Sequence, residues 1–418
     1  MRRRTFLVMA GAAALSPFPK TRALSSLGTV AWIESGSLWI RELPDGSKLK
    51  LASAEGLQTP RFSPSGRWIV MEDREDKRWL VRSDGQAGSA LDTHAARLLS
   101  REDLPLLHPD GVFAPDRLRY VFSRDQHHDR TSVSELCLAS LNAPDRQPEV
   151  LVSDQNGAMQ PYAWTRDGKS IIYWKGDDWS ASLWADGVGL HSVEVESRHS
   201  RELGVTALDH GDALDLAPSL AGNKLAVTDG DGRQTWSAKR ITLIDLDTGV
   251  SRRLMTDDIA SIGPSWSPDG RLIACSAAPD ADAAYSRVMA GINYPVTLPN
   301  GSVETRTITP GSRVGIGGGE EAHVYLQQRK IWLLDPGGGY PPRQLTNDPR
   351  YRDEEPMWSA DGGHILFGRM DYEGNRSLWL MEANGANPAQ MCNLPAGEES
   401  WFGYYGYIDW RSCFDWRR

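Results

Sequence analysis

The chain has 418 residues, with 46 Lys and Arg against 55 Asp and Glu and a formal net charge of -9. That balance disfavours a dedicated nucleic-acid role, because neutralising phosphates takes a basic surface. Its 16 Trp and 12 Tyr against 8 Phe suit strands, and beyond residue 15 no apolar run approaches the roughly 18 residues of a spanning helix.

In chain order, residues 1–23 read as a signal peptide. Arg2, Arg3 and Arg4 make a charged start, and Phe6 to Leu15 is an apolar stretch too short to cross a bilayer. Arg3-Arg4-Thr5-Phe6-Leu7 fits a twin-arginine export motif, and Lys20 and Arg22 are compatible with that route. An ordinary secretory signal is the other reading. Cleavage is expected after Ala23, and with no cysteine near it a lipid anchor is not expected. The mature protein is therefore expected in the periplasm or outside the cell.

Residues 28–418 repeat one motif. It appears as Pro60-Arg-Phe-Ser-Pro-Ser-Gly-Arg-Trp-Ile-Val70, Pro264-Ser-Trp-Ser-Pro-Asp-Gly-Arg-Leu-Ile-Ala274 and Pro356-Met-Trp-Ser-Ala-Asp-Gly-Gly-His-Ile-Leu366. A copy slipped by one residue starts at Pro161, and weaker copies stand at Val112 and Leu216. Each reads as an aromatic strand end, a tight turn and an apolar strand. Pro presets φ, Asp bonds its own backbone, and Gly takes φ > 0. A second apolar strand follows, as in Ser37-Leu-Trp-Ile-Arg41, Lys330-Ile-Trp-Leu-Leu334 and Ser377-Leu-Trp-Leu-Met381. A turn and a short edge strand complete the unit. Four short strands recurring at about 50 residues mark a propeller blade.

The fold class is therefore all-β, a single β-propeller of seven four-stranded blades. Six blades is the alternative, if the repeat at Leu216 is something else. Thr29-Val-Ala-Trp-Ile33 and Ser37-Leu-Trp-Ile40 lack a strand before them, and Tyr407-Ile-Asp-Trp-Arg411 looks like a first strand with nothing after it. Joined, they make one blade shared by the two ends, which removes the exposed sheet edges of an open ring.

These motifs resemble the TolB-like, WD40-like propeller repeats of bacterial envelope proteins, over nearly the whole mature chain. The resemblance implies a binding role in the envelope, with an envelope protein, peptide or polysaccharide as partner. The TolB proteins also carry a smaller α/β domain before the propeller, for which this chain has no room. Relatives of the same propeller class include the non-catalytic domains of prolyl oligopeptidase-type peptidases and the oligogalacturonate lyases. The manganese site of those lyases cannot be placed residue by residue on this sequence.

Strand order divides the loops between two faces. The Pro-Asp-Gly turns join first to second strands on one face, and second-to-third and blade-to-blade connections share the other. Ligands of propellers usually bind at the channel mouth on that second face, an expectation from fold analogy. Between Ser276 and Lys330 the second-to-third connection runs for about fifty residues, with Tyr285 and Tyr294 in it. Loops that long tend to be functional or disordered; the insertion at about 277–329 is read either as functional or as decoration, with a hairpin within it. Blade-to-blade loops supply Asp209, His210 and Asp212, then Arg350, Arg352, Asp353, Glu354 and Glu355. Converging on the mouth, these could bind a cation, a basic segment or a polar saccharide; a solvated loop surface is the bland alternative.

Several chemical motifs are missing. No Gly-x-Ser-x-Gly provides a nucleophile elbow. His127-His128-Asp129 reads as a surface loop, and Asp229-Gly-Asp-Gly232 lacks the remaining ligands of a calcium loop. Cys137, Cys275, Cys392 and Cys413 show no metal spacing. The last two are left as either free thiols or a bridge locking the ring. The sequence thus points to an exported, monomeric, non-catalytic binding scaffold with no cofactor and no metal. The alternative is a propeller-type lyase or hydrolase acting on a saccharide or peptide with a metal at the channel mouth.

Overall fold

The computed structural model describes residues 26–418 except 54–57, 73–76, 86–88, 91–102, 104–110, 129–130, 144, 156, 178–187, 208–213, 219–221, 231–233, 282–292, 298–302, 308–324, 372, 396–402 and 404. The proposed signal peptide, Tyr285, Asp209, His210 and Asp212 lie outside the described residues.

Seven four-stranded antiparallel blades form a ring. Strands β1 (Thr29–Glu34), β2 (Ser37–Glu42) and β3 (Leu49–Ser53) belong to blade one. Blade two is β4 (Gln58–Phe62), β5 (Trp68–Glu72), β6 (Arg78–Arg82) and β7 (Ser89–Ala90). Blade three is β8 (Val112–Phe113), β9 (Arg119–His128), β10 (Thr131–Ser140) and β11 (Glu149–Gln155). Blade four is β12 (Gly157–Trp164), β13 (Ser170–Asp177), β14 (Val188–Glu194) and β15 (Ser200–Ala207). Blade five is β16 (Leu214–Leu216), β17 (Lys224–Asp229), β18 (Arg240–Asp245) and β19 (Ser251–Arg253). Blade six begins with β20 (Ile259–Trp266) and β21 (Ile273–Pro279). A separate hairpin, β22 (Asn293–Thr297) and β23 (Val303–Thr307), interrupts it before β24 (Lys330–Leu334) and β25 (Arg343–Gln344). Blade seven is β26 (Tyr351–Trp358), β27 (His364–Asp371), β28 (Arg376–Glu382) and β29 (Ala389–Asn393). Finally β30 (Phe414–Arg417) returns to blade one as its innermost strand, with Trp32 opposite Phe414 and Thr29 opposite Arg417.

The repeat at Leu216 is a blade, which settles the count at seven. Ring closure by the two ends holds, but the strand that closes it is Phe414–Arg417 rather than 407–411. His127 and His128 end β9 instead of lying in a loop.

The recurring motif has two jobs in the structure. Its serine or threonine closes the turn: Ser267 Oγ donates to Asp269 (2.7 Å) and accepts the Leu272 N–H (2.9 Å). Thr165 with Asp167 and Ser359 with Asp361 repeat the arrangement. Gly270 and Gly362 both sit at φ +70, where a side chain would strain the backbone. The tryptophan ties neighbouring blades. Trp164, Trp266 and Trp358 each donate the indole N–H to the innermost strand of the preceding blade, at Val112 O (3.0 Å), Asp215 O (3.1 Å) and Ser265 O (3.0 Å). A buried indole needs such a partner, so one residue type supplies both core volume and blade-to-blade registration.

Most of the core lies between blades. One cluster joins Ala31, Ile33 and Leu38 to Ile69, Met71 and Val81; another joins Ala274 and Ile331 to Trp358, Ile365 and Phe367. The largest contains Trp32, Trp410, Phe414 and Trp416 at the closure, and extends to Trp236, Tyr325 and Leu326 from blades five and six.

Candidate functional site

Residues 405–413, before β30, lie across the channel mouth on the face opposite the Pro-Asp-Gly turns. The Thr235 N–H, in the second-to-third loop of blade five, donates to Tyr405 O (3.0 Å). Arg329, at the start of the third strand of blade six, donates to Gly406 O (2.9 Å) and to Thr235 O (2.9 Å). The Thr59 N–H of blade two donates to Ser412 O (2.8 Å), and the Ile33 N–H of blade one to Cys413 O (3.3 Å). One strap thus touches blades one, two, five, six and seven.

Two close approaches explain its glycines. Gly406 is at φ +81, and a Cβ there would meet Thr235 Oγ1 at 2.6 Å. Gly368 on β27 leaves room for the Trp410 ring, which a Cβ would meet at 2.5 Å.

Beneath the strap is a buried ion-pair network. Glu354 Oε1 lies 2.6 Å from both Arg329 Nη1 and Arg352 Nε, and Glu354 Oε2 accepts the Trp410 indole N–H at 2.8 Å. Arg352 also donates to Gly406 O. Asp353 pairs with Arg369 through two bonds of 2.7 and 3.0 Å. Glu355 pairs with Arg411 of the strap. Burial alone would raise the Glu354 carboxyl. The charges of Arg352 and Arg329 and the Trp410 bond outweigh that and hold it below the ordinary carboxylate value. Burial also pulls Arg352 down to about 10 and Lys330 down to about 8.

This placement corrects the sequence reading of 350–355. Arg352, Asp353, Glu354 and Glu355 are not in a solvated blade-to-blade loop. They form part of β26, the innermost strand of blade seven, and all four are buried. Charge was read as exposure, whereas each of these groups has an ionic partner: Asp353, Glu354 and Glu355 pair with arginines of other segments, and Arg352 with Glu354 of its own strand. Arg350 alone is exposed, paired with Asp348 at 2.6 Å. Thr235, Trp236, Arg329, Gly368 and Gly406 complete the arrangement and were not picked out from sequence. The signal available was the Gly-aromatic run Gly403-Tyr-Tyr-Gly-Tyr-Ile-Asp-Trp410, of which the part from Tyr407 on was read as strand.

The insertion is anchored at both ends in the ring. Asp280 accepts the Ala238 N–H (2.8 Å) and pairs with Arg240 (2.7 Å), with side-chain exposures of 1% and 7%. Ala281, Tyr325 and Leu326 are buried in the closure core. Between these anchors, among the described residues, β22 and β23 pair with each other, Asn293 opposite Thr307 and Thr297 opposite Val303, in a sheet separate from the blades. Tyr294 lies on β22. The hairpin within the insertion is as expected from the alternation at Val303 to Ile308.

Cys137, Cys275, Cys392 and Cys413 are free thiols, so no bridge locks the ring. Among the described residues no three His, Cys, Asp or Glu stand close enough to share a metal ion. Among the same residues no helix is long and apolar enough to cross a membrane.

No protein-family model matches the sequence, and no curated protein matches it. Solved structures do. Puromycin hydrolase aligns over 88% of this chain and 52% of its own, at 14% identity and a TM-score of 0.52. The chain thus spans about half of that enzyme's length. TolB from Acinetobacter baumannii aligns over 89% of this chain and 79% of its own, at 12% identity and a TM-score of 0.38. Oligogalacturonate lyase from Vibrio parahaemolyticus aligns over 88% and 86%, at 12% identity and a TM-score of 0.47. At such identities the likeness is one of fold alone, a β-propeller.

Proposed function

We propose that the protein is an exported binding scaffold of the cell envelope, and that the insertion of blade six is its binding element. The observation that carries this reading is the hairpin β22–β23, which leaves a closed ring through buried anchors and, among the described residues, pairs with no blade. An isolated two-stranded hairpin is at best marginally stable in water, so a partner strand or surface completes it. The channel mouth on the same face is filled by the chain's own strap and ion pairs, which favours the insertion over the channel as the recognition surface. An envelope protein or peptide is the partner this geometry suits, and monomeric action in the periplasm fits a ring that closes on itself.

The test replaces residues 282–324 by a short Gly-Asn turn, sparing Asp280, Ala281, Tyr325 and Leu326. The variant is expected to fold and melt like the parent. A photo-crosslinking residue at Tyr294 in the full chain is expected to give adducts in the envelope, while one at Asp269 on the opposite face gives none. Adducts from Asp269 alone, or from neither position, would overturn the assignment.

Export rests on Arg3 and Arg4. Changing both to lysine is expected to leave the precursor uncleaved in the cytoplasm, read by cell fractionation and immunoblot. Normal processing of that double variant would reject the twin-arginine route.

A further inference from the structure

Among the described residues, the opposite, turn-side mouth of the channel gathers more arginines than carboxylates. Asp415, Arg61 and Asp215 hold the same position of the innermost strand in blades one, two and five, immediately before Trp416, Phe62 and Leu216. Asp415 accepts the Phe62 N–H (2.7 Å) and Asp215 the Trp266 N–H (2.6 Å), each reaching along the channel wall to the next blade. Arg61 is exposed at the equivalent place and, among the described residues, has no ion-pair partner.

Arg418 extends β30 and donates to Trp358 O (3.0 Å), at the end of the innermost strand of blade seven. Arg166, in the turn of blade four, donates to Ala217 O. Carbonyl oxygens orient these two guanidiniums without cancelling their charge. The carboxylates they face are Asp215, for both, and Asp415, for Arg418; the Arg411 charge also reaches Asp215, although Arg411 is itself paired with Glu355. Burial pushes the Asp215 carboxyl up to about 6 in spite of these cations. At this mouth the channel walls, in a chain of net charge -9, therefore set three arginines, Arg61, Arg166 and Arg418, against two aspartates, Asp215 and Asp415. Such walls focus the field, and guanidinium forks match the paired oxygens of carboxylate and phosphate.

We propose that the turn-side mouth binds an oxyanion, carboxylate or phosphate, through Arg61, Arg166 and Arg418, with Asp215 as the internal anion that the ligand displaces from their field. The site is separate from the insertion on the other face.

The test is calorimetric titration of the mature protein with citrate and, in a second arm, with inorganic phosphate at low salt. One of the two is expected to bind, and which one does so identifies the oxyanion. Arg61→Ala is expected to weaken binding about tenfold or more, the loss of one charged hydrogen bond. Added salt is expected to weaken it further. Asp215→Asn keeps an acceptor for the Trp266 N–H while removing the competing charge, so it is expected to bind several-fold tighter. Arg271→Ala, in the turn of blade six with an 85% exposed side chain, is the control and is expected to bind as the parent does. No binding of either anion overturns the proposal. So does equal weakening in Arg61→Ala and Arg271→Ala, or weaker binding in Asp215→Asn.

Discussion

Glu354 shows how single residues hold this molecule together. It is 3% exposed and answers two guanidiniums that are 1% and 0% exposed. Breaking such a group leaves uncompensated buried charge, at about 3–5 kcal/mol. Glu354→Gln is therefore expected to lower stability by about that amount in chemical denaturation, whereas Arg350→Ala, which opens an exposed pair, should leave it essentially unchanged. The pH dependence has a definite sign. The Glu354 carboxyl is held below its unfolded value, so its contribution is present at neutral pH, above the unfolded pKa. It is lost as pH falls through the folded pKa, and Glu354→Gln should show a flatter acid limb. Charge reversal at 353–355 is correspondingly a stability experiment, not a salt-sensitive binding one.

At the scale of elements, the turns were legible and the strand ends less so. The Ser-Pro-Asp-Gly chemistry is local: each side chain bonds the backbone two to five residues away, so sequence alone places the turn. The bulges are also written locally. The first-to-second strand register shifts around Thr59-Pro60, Pro161, Gly263-Pro264 and Glu355-Pro356, because proline cannot donate to the ladder. The 407–411 segment was misread because Ile408 and Trp410 are buried with the alternation expected of a strand. That burial comes from packing across the channel mouth. Periodicity cannot distinguish a strand from an irregular strap whose apolar residues meet different neighbours.

The whole ring depends on joining residues far apart in sequence. β30 gives blade one its innermost strand, Asp415 ties it to blade two, and the Trp416 indole donates to Leu27 O at 3.0 Å. Truncation before Gly403 removes the strand and the strap together. It uncovers the edge of β1 and costs on the order of 3–5 kcal/mol for Trp410 alone. The truncated chain is expected to be insoluble or to melt without a cooperative transition in calorimetry. Cooperative melting at an unchanged temperature would count against closure as a source of stability.

The sequence by itself determined the all-β class, the blade repeat, a closing blade shared by the two ends, and the presence of a long insertion, and it left the count between six and seven blades. All of these rest on local turn chemistry and on apolar alternation, which a chain carries without reference to its neighbours. Tertiary structure alone decided that Arg352 to Glu355 are internal, that 405–413 crosses the channel mouth, and that cations collect at the opposite end. Each of those depends on charges and carbonyls from different blades meeting at one place. An ion pair such as Glu354 with Arg329, 25 residues apart, or Arg411 with Glu355, 56 apart, leaves no periodic trace, because ring closure rather than chain order brings its partners together.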